Sequence, residues 1–372
     1  MIRGEPSAPA ESGLGAASPC EDLGEGPERP STGSKAACGV TGIEAVRAVL
    51  TAVLRKLAIG FAAALFAVPA QADSAHELLD RGDAAWEHRA DGVSENGRAA
   101  PGPINDAIQA YAAAVAAAAD SLEARWKLVR ALYFAGEFAS PDESAARVQF
   151  ERATTQAEAG LDLLGRRAGG RPEFDVLPPE SVRVALPPGD VGDAAALEFW
   201  SAIAWGGWAQ RRGLLAAVRQ GVANRIYRSA LVSVALDPEL EEGGAHRLLA
   251  RLHASLPRVP FFSGWVDRAQ ALPEMERALA IAPDHPGNRL LLALTILDVA
   301  PNRRAEALLL LETASTTEPR PAQRVEDLAI RKTARDRLAQ ERAATPRAHA
   351  LSVRAYAEWG RLWASIAARS AA

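Results

Sequence analysis

Histidine and cysteine are the side chains best suited to bind metals or to act as nucleophiles, and their spacing here forms no recognisable site. The six histidines are scattered, and only His246 and His253 lie near each other. They fall at i and i+7 on one predicted helix face, too far apart to share a metal without further ligands. The sequence also lacks HExxH, GxSxG, P-loop and GxGxxG patterns. It therefore predicts no catalytic site, no metal and no cofactor, and we expect no enzymatic activity.

A cluster of aromatic residues on one predicted helix is the first candidate for a binding surface. Its members are Phe199, Trp200, Trp205 and Trp208. Tryptophan combines a large apolar ring with one hydrogen-bond donor, so such a cluster favours a ligand pocket or a partner surface. The same residues would also suit packing between layers of helices. The sequence leaves both interpretations open, and Trp200, Trp205 and Trp208 are taken as candidate binding residues.

Two further stretches contain candidate binding residues. Residues 243–247 read Gly-Gly-Ala-His-Arg at a predicted helix start, where free backbone N–H groups beside Arg247 favour an anion. The alternative is that His246 is paired within the fold. Residues 256–265 form a predicted loop with three aromatic residues, Phe261, Phe262 and Trp265. Such a loop marks an interface when it is exposed and fills the core when it folds inwards.

The composition of the chain indicates a helical protein of ordinary globular character. Of its 372 residues, 48% are hydrophobic and 24% are charged, and the formal net charge is -4. Because the chain is slightly acidic and has no extended Lys/Arg patch, we expect no nucleic-acid partner. Alanine, the best helix former, is abundant, and strand-like alternation of β-branched residues is almost absent. These features predict an all-α fold.

An export signal is predicted ahead of the folded part of the chain, within residues 53–72. Arg55 and Lys56 form a short basic region, and residues 57–68 are an apolar run of 12 residues. Ala70-Gln71-Ala72 then supplies the small residues that signal peptidase requires, with cleavage expected before Asp73. The run is well short of the roughly 20 residues that span a bilayer, although a buried helix is an alternative. The mature chain is therefore expected to be a soluble periplasmic protein.

Residues 1–52 are expected to lie outside the folded protein. They are rich in Gly, Pro, Ser and Ala without apolar periodicity, which is typical of disorder. A signal so far from Met1 favours translation from near Val53 or Leu54. Both cysteines, Cys20 and Cys38, precede the predicted cleavage site. The mature protein would then have no cysteine, which excludes disulfides, thiolate catalysis and Cys-ligated metals and argues against a lipid anchor.

The clearest internal pattern is a small–bulky–small triplet, Ala-x3-Φ-x2-Ala, typical of the second helix of a tetratricopeptide (TPR) unit. This spacing places all three residues on one helix face. The triplets are Ala107/Tyr111/Ala114, Ala146/Phe150/Ala153, Ala223/Tyr227/Ala230, Ala271/Met275/Ala278 and Ala307/Leu311/Ala314. Their separations depart from the regular period of about 34 residues. The pattern predicts a TPR-like superhelix of antiparallel helix pairs in residues 73–340, with divergent repeats and insertions.

The periodicity and the turn residues predict the positions of the helices. These are about 74–90, 104–119, 121–137, 142–165, 193–212, 215–236, 243–255, 265–282, 286–299, 302–316 and 321–340. Residues 166–192, rich in Pro and Gly, are predicted to be an insertion loop that is either functional or disordered. Within 341–372 a last amphipathic helix is predicted at 347–369. Its apolar stripe is Tyr356, Trp359, Trp363 and Ile366.

From Asp73 to about Leu338 the chain resembles the T-component family of tripartite ATP-independent periplasmic (TRAP) transporters. The more specific matching stretches are Gly243-Gly244-Ala245-His246-Arg247 and the Trp-rich helix with Phe199-Trp200 and Trp208-Ala209. The other matches are Gly82 to Trp86, Glu123 to Trp126 with Tyr133, Leu236-Asp237-Pro238, and Ala278 to Asn288. Two departures are the missing lipoprotein cysteine and the 166–192 insertion.

The resemblance implies a TPR-like periplasmic protein that associates with the solute-binding receptor of a TRAP transporter. It further implies a homotrimer with a central pore and a hydrophobic cleft that accepts an apolar or organic-acid ligand. We expect the groove to involve the Trp200–Trp208 helix and the 256–265 loop. The alternative function is a general periplasmic TPR scaffold for envelope or respiratory-complex assembly, in which the superhelix binds a peptide or a partner helix.

Overall fold

The computed structural model describes residues 73–94, 97–260 and 262–343, and these ranges contain helices and no strands. The helices are α1 Ala75–Glu87, α2 Pro101–Ala117, α3 Leu122–Phe134, α4 Glu143–Arg167, α5 Arg171–Val176, α6 Val182–Ala185, α7 Val191–Arg212, α8 Leu214–Arg219, α9 Val222–Leu236, α10 Leu240–Ser255, α11 Arg268–Ile281, α12 Pro286–Val299, α13 Arg304–Thr316 and α14 Arg324–Ala343. The predicted all-α class is confirmed. The predicted signal peptide, both cysteines and the stripe at 356–366 lie outside the described residues.

Local sequence signals fix where several helices begin. Ser74 caps α1 in a reciprocal capping box with Glu77, so two otherwise unpaired backbone N–H groups are satisfied. The side chains of Asp142 and Asp267 cap α4 and α11 by each accepting a hydrogen bond from one backbone N–H in the first turn. Pro286 occupies the first turn of α12, where its missing N–H has no cost. In the part of the chain that the structure describes, no helix is long and apolar enough to cross a membrane.

Alternate long helices contact one another as well as their neighbours in the chain. Along the sequence, α1 packs on α2, α2 on α3, α3 on α4, and α10 to α14 each pack on the next. A second set of contacts joins α3 to α7, α7 to α10, α10 to α12 and α12 to α14. These five helices therefore line one side of the helix array, and α2, α4, α9, α11 and α13 contribute to its other layer.

Four of the five triplets are buried as the pattern predicts. Their bulky residues, Tyr111, Phe150, Met275 and Leu311, are completely buried. The Ala223/Tyr227/Ala230 triplet differs, because α9 is turned so that Val222 and Ile226 are buried and Tyr227 is only partly covered. Tyr227 instead stacks on Trp265, with ring centroids 3.8 Å apart and planes 3° apart.

The 166–192 segment is not a loop without secondary structure, and that prediction was wrong. It contains α5 and α6 together with short 3-10 turns. Phe174, Val182 and Leu186 are buried against α7 and α9 in one apolar cluster. The prolines do not prevent this structure, since Pro172, Pro179 and Pro188 lie in the first two positions of a short helix or turn, where proline favours helical geometry. The predicted helix at 215–236 is similarly two helices, separated at Gly221, which has φ +61°.

The first and last described helices meet, so the array closes on itself. Arg89, directly after α1, donates from Nε to Glu326 Oε1 of α14 at 2.9 Å, across 237 positions of sequence. The 3-10 turns at residues 88–90 and 321–323 are also in contact. Because Arg89 is 6% exposed, this ion pair is shielded from solvent. Closure leaves a central cavity on the side lined by the alternate helices.

Candidate functional site

The central cavity has a volume of about 520 Å³. Its wall is built by α1, α3, α7, α10, α12 and α14 and by the turns at their ends. A volume of a few hundred Å³ is typical of pockets for small organic ligands. The wall combines aromatic rings with charged groups, whereas most pockets of this size are largely apolar.

Most of the charged groups in the cavity wall are paired with one another. Arg89 pairs with Glu326. Arg320 pairs with Asp327 at 2.9 Å and with Glu242 at 3.0 Å. Glu137 pairs with Arg211, which lies outside the wall, at 2.9 Å. These pairs fix the wall and leave little net charge on the groups that form them.

Arg130 of α3 is held by aromatic rings instead of a carboxylate. Its guanidinium carbon lies 4.0 Å from the ring centroid of Trp86 and 4.8 Å from that of Trp126. Its Nε is buried without a hydrogen-bond partner. Burial lowers the pKa of Arg130, and the hydroxyl of Tyr111 partly offsets this effect. Stacking of this kind contributes about 0.5–2 kcal/mol and orients the cation.

A left-handed turn at the start of α10 forms the opposite wall. Glu241, Glu242 and Gly243 have φ values of 51°, 56° and 83°. Two consecutive non-glycine residues in this region are strained, at about 1–2 kcal/mol each. Arg247 compensates for the strain by donating to the carbonyl oxygens of Glu241 and Glu242, both at 2.8 Å. Asn288 of α12 accepts a further bond from Arg247 at 2.7 Å.

The turn positions the carboxylate of Glu241 in the cavity. Burial raises the pKa of Glu241, and the nearby cations Arg130 and Arg247 oppose that shift. Among the described residues no cation lies within ion-pair distance of this carboxylate. His285, also in the wall, contacts Glu242 with Nε2 at 3.2 Å. Burial and the charge of Arg247 lower the pKa of His285 below its usual value, so this ring is neutral at neutral pH.

Aromatic rings cover the remaining wall between α3 and α7. The ring of Tyr133 makes edge contacts with the rings of Phe138 and Phe150, and its centroid lies 5.9 Å from the ring centroid of Trp200. The indole Nε1 of Trp200 is buried without a hydrogen-bond partner. An unsatisfied buried N–H costs about 1–3 kcal/mol, so this indole carries a local energetic penalty.

The structure separates the residues that sequence reasoning had grouped together. Trp200 and Arg247 line the central cavity, whereas Trp205 and Trp208 belong to another cluster with Trp265. Trp205 is 8% exposed and donates to Glu158 at 2.9 Å, so it is a core residue. Phe261 lies outside the described residues.

The 256–265 loop covers a second, smaller cavity of about 160 Å³, which is apolar. Phe262 and Leu256 contribute to its wall, together with Ile226 of α9 and Ala209 of α7. Trp265 is partly exposed beside it and donates to Asn224 Oδ1 at 2.7 Å. The loop therefore presents a partly exposed aromatic surface above an apolar pocket.

His246 and Arg247 point in different directions from α10. His246 Nδ1 lies 2.6 Å from Glu274 Oε2 of α11, so the histidine is paired within the fold. The guanidinium of Arg247 is occupied by the left-handed turn, and Gly243 N–H donates to the carbonyl of Glu239 at 3.3 Å. These contacts occupy the groups that the sequence suggested for an anion. His253 Nδ1 accepts from the backbone of Asp267, away from His246.

Arg130 and Glu241 were not identified from the sequence, although the spacing around Arg130 could have indicated it. It lies four residues after Trp126 and three before Tyr133, so the three share a helix face. No sequence pattern indicated Glu241, because its position depends on a backbone conformation that glutamate rarely adopts.

Comparison with known proteins adds no assignment. No protein-family model and no curated protein matches this chain. Its function must therefore be inferred from the cavity and its surroundings.

The left-handed turn leads to a first testable prediction. Gly243→Ala should destabilise the protein by about 1–2 kcal/mol, because alanine disfavours φ +83° and its Cβ would lie 3.0 Å from Ala278 Cα. Urea unfolding measures the effect. Gly264→Ala is the control, since a Cβ there would meet no described atom within 4 Å. Equal stabilities of the two variants would contradict the strain assigned to the turn.

Proposed function

We propose that this protein is a periplasmic accessory component of a TRAP-type solute uptake system, with a TPR-like arrangement of helix pairs. It would bind the system's solute receptor and hold a small ligand, as the family resemblance implies. The observation that carries the proposal is the closed helix array around a cavity of about 520 Å³. A preformed cavity with a mixed aromatic and charged wall suits binding of a small molecule.

The helix contacts support the TPR-like arrangement. The buried triplets lie on α2, α4, α11 and α13, the layer opposite the cavity wall. Gly82 of α1 packs directly against the Tyr111 ring of α2, where any side chain would overlap the ring. A small residue facing a bulky one across a helix pair is the complementarity that the triplet pattern predicts.

The 256–265 surface is the proposed receptor contact. The rings of Trp208, Tyr227 and Trp265 lie in one partly buried cluster beside the apolar pocket. Aromatic residues with one polar atom are the side chains most enriched at energetically important contacts. The family resemblance further implies homotrimers, which native mass spectrometry would detect with the receptor complex.

The decisive experiment is capture of partners from periplasmic extract, followed by native mass spectrometry. We expect recovery of an extracytoplasmic solute receptor at a defined stoichiometry. Adjacent genes for TRAP membrane and receptor proteins would agree with this result. Repeated recovery of envelope-assembly or respiratory proteins without a solute receptor would instead favour the general scaffold.

The proposed contact predicts the effect of removing two rings. Trp208→Ala combined with Trp265→Ala should weaken receptor capture at least tenfold, because these side chains are partly exposed and carry the aromatic surface. Surface plasmon resonance with the purified receptor measures the loss. Val184→Ser is the control, since Val184 is an 85% exposed apolar residue outside the cluster. Unchanged affinity with retained helical circular dichroism would place the contact elsewhere.

A further inference from the structure

Arg130 and Glu241 are two charged groups in the wall of the central cavity that have no ion-pair partner among the described residues. Each influences the other electrostatically, yet the two form no ion pair. Among the described residues, the other charges in the wall are engaged by partners within the protein. Arg89, Arg320 and Glu137 have carboxylate or guanidinium partners. The cavity therefore presents one cation and one anion that are available to a ligand.

Both groups are held apart by neighbouring structure. The rings of Trp86 and Trp126 fix the guanidinium of Arg130. The left-handed turn, locked by Arg247, fixes the backbone that carries Glu241. A flexible surface pair would collapse into a salt bridge, and these constraints oppose such a collapse. An arrangement that is fixed before binding lowers the entropic cost of association.

The charges restrict the chemical class of the ligand. A carboxylate fits a guanidinium well, because two parallel N–H groups can donate to its two oxygens. An ammonium group fits the carboxylate of Glu241 and also the faces of the surrounding aromatic rings. A ligand with only a negative charge would leave the carboxylate of Glu241 without a counter-ion and near a second negative charge. A ligand with only a positive charge would likewise leave the guanidinium of Arg130 without a counter-ion and near a second positive charge. A ligand with both groups satisfies both residues.

We propose that the central cavity binds a small zwitterion, an amino acid or a related ammonium carboxylate. Its carboxylate contacts Arg130 and its ammonium group faces Glu241. The aromatic wall around Tyr133 and Trp200 takes the apolar part of the ligand. This inference concerns the cavity alone and does not depend on whether a TRAP receptor is the partner.

Matched probes test the proposal with the purified full chain. Isothermal titration calorimetry is run with L-phenylalanine, 3-phenylpropionate and phenethylamine, which differ only in the ammonium and carboxylate groups. The other standard amino acids and glycine betaine are screened by thermal shift, and any hit is titrated with its deaminated and decarboxylated analogues. We expect at least one zwitterion to bind, and each analogue to bind at least tenfold more weakly. The proposal is overturned if no zwitterion binds, or if a carboxylate analogue binds as tightly.

Two variants assign the roles of the charges. Arg130→Gln should weaken binding of the zwitterion at least tenfold and reduce its advantage over the amine. Glu241→Gln should remove its advantage over the carboxylate. Arg152→Gln is the control, because Arg152 is an exposed arginine that bonds only to Gln149. Unaltered selectivity in both variants, with circular dichroism unchanged, would overturn the assignment. A failed receptor capture would leave this result unaffected.

Discussion

Glu198→Gln should abolish a loss of stability that the wild-type protein shows as the pH rises from about 4.5 to about 7. Glu198 lies on α7 and is 2% exposed, and its Oε2 has no hydrogen-bond partner. Burial raises its pKa from 4.5 to about 7, against the opposing influence of Ser229, Arg228 and Arg171. The folded state therefore keeps this group protonated at pH values where the unfolded chain has released the proton.

The sign of the effect follows from proton linkage. Below pH 4.5 the carboxyl is protonated in both states, so its stabilising contribution is fully present. As the pH rises towards 7, Glu198 loses its proton in the unfolded chain before it does so in the folded protein. This favours the unfolded state, so the stabilising contribution of Glu198 is lost. A shift of this size corresponds to about 3 kcal/mol at most, from roughly 1.4 kcal/mol for each pH unit. Glutamine is neutral at all these pH values and should show no such loss.

Urea unfolding at pH 4.5, 5.5, 6.5 and 8 measures the difference. We expect the free energy of unfolding of wild type and Glu198→Gln to diverge by about 3 kcal/mol across this range, with the variant more stable at pH 8. Glu180→Gln is the control, because Glu180 is exposed and has no ion pair among the described residues. Parallel curves for wild type and Glu198→Gln would show that Glu198 is not held in its neutral form.

Gly207→Ala should cost about 2–3 kcal/mol of stability, since it forces a methyl group into the ring of Phe150. A Cβ at position 207 would lie 2.6 Å from Cδ1 of Phe150. The ring cannot move to the other side, because Gly136 also packs against it, with a Cβ position 2.7 Å from Cε2. Arg211 lies 4.3 Å from the ring centroid and further restricts it.

The neighbouring glycine provides a matched control. A Cβ at Gly206 would meet only Ile226 Cδ1, at 3.9 Å, so Gly206→Ala should be neutral or stabilising by up to about 1 kcal/mol. Adding Phe150→Leu to Gly207→Ala should recover part of the loss, because the smaller side chain leaves room for the methyl group. Urea unfolding of wild type, Gly207→Ala, Phe150→Leu and the double variant gives the coupling energy. Equal destabilisation by the two glycine variants, or simple additivity in the double variant, would contradict this packing.

The aromatic candidates show how far sequence reasoning reached. Trp200, Trp205 and Trp208 were grouped because they share one helix, and the structure separates them around that helix. Trp200 faces the central cavity, whereas Trp205 is buried with Trp208 on the side of Leu252 and Trp265. The aromatic residue types correctly indicated that these side chains pack against other residues. A helix, however, presents its side chains to several neighbouring helices. Which neighbour each one meets depends on the rest of the fold.

The all-helical class and most helix positions can be predicted from the amino-acid sequence. Capping residues, proline at helix starts and apolar periodicity act within a few residues, so they can be recognised locally. The burial of the triplets on α2, α4, α11 and α13 was also predictable, because the spacing places their residues on one helix face. The same spacing on α9 was not sufficient, since α9 is turned and Tyr227 is only partly covered. The structure of residues 166–192 could not be predicted in this way. Phe174, Val182 and Leu186 are buried by long-range contacts, and their spacing in the sequence has no regular period.

The candidate site depends on contacts between distant segments. The helix array closes around the cavity where Arg89 contacts Glu326 across 237 positions, and no local pattern encodes that contact. Glu241 lines the same cavity as Arg130 because Arg247 and Asn288 stabilise a left-handed turn that the sequence alone disfavours. Local propensities fix helices because their hydrogen bonds lie within one segment. The position of an unpaired charge is fixed instead by contacts with several segments, which come together only when the chain has folded.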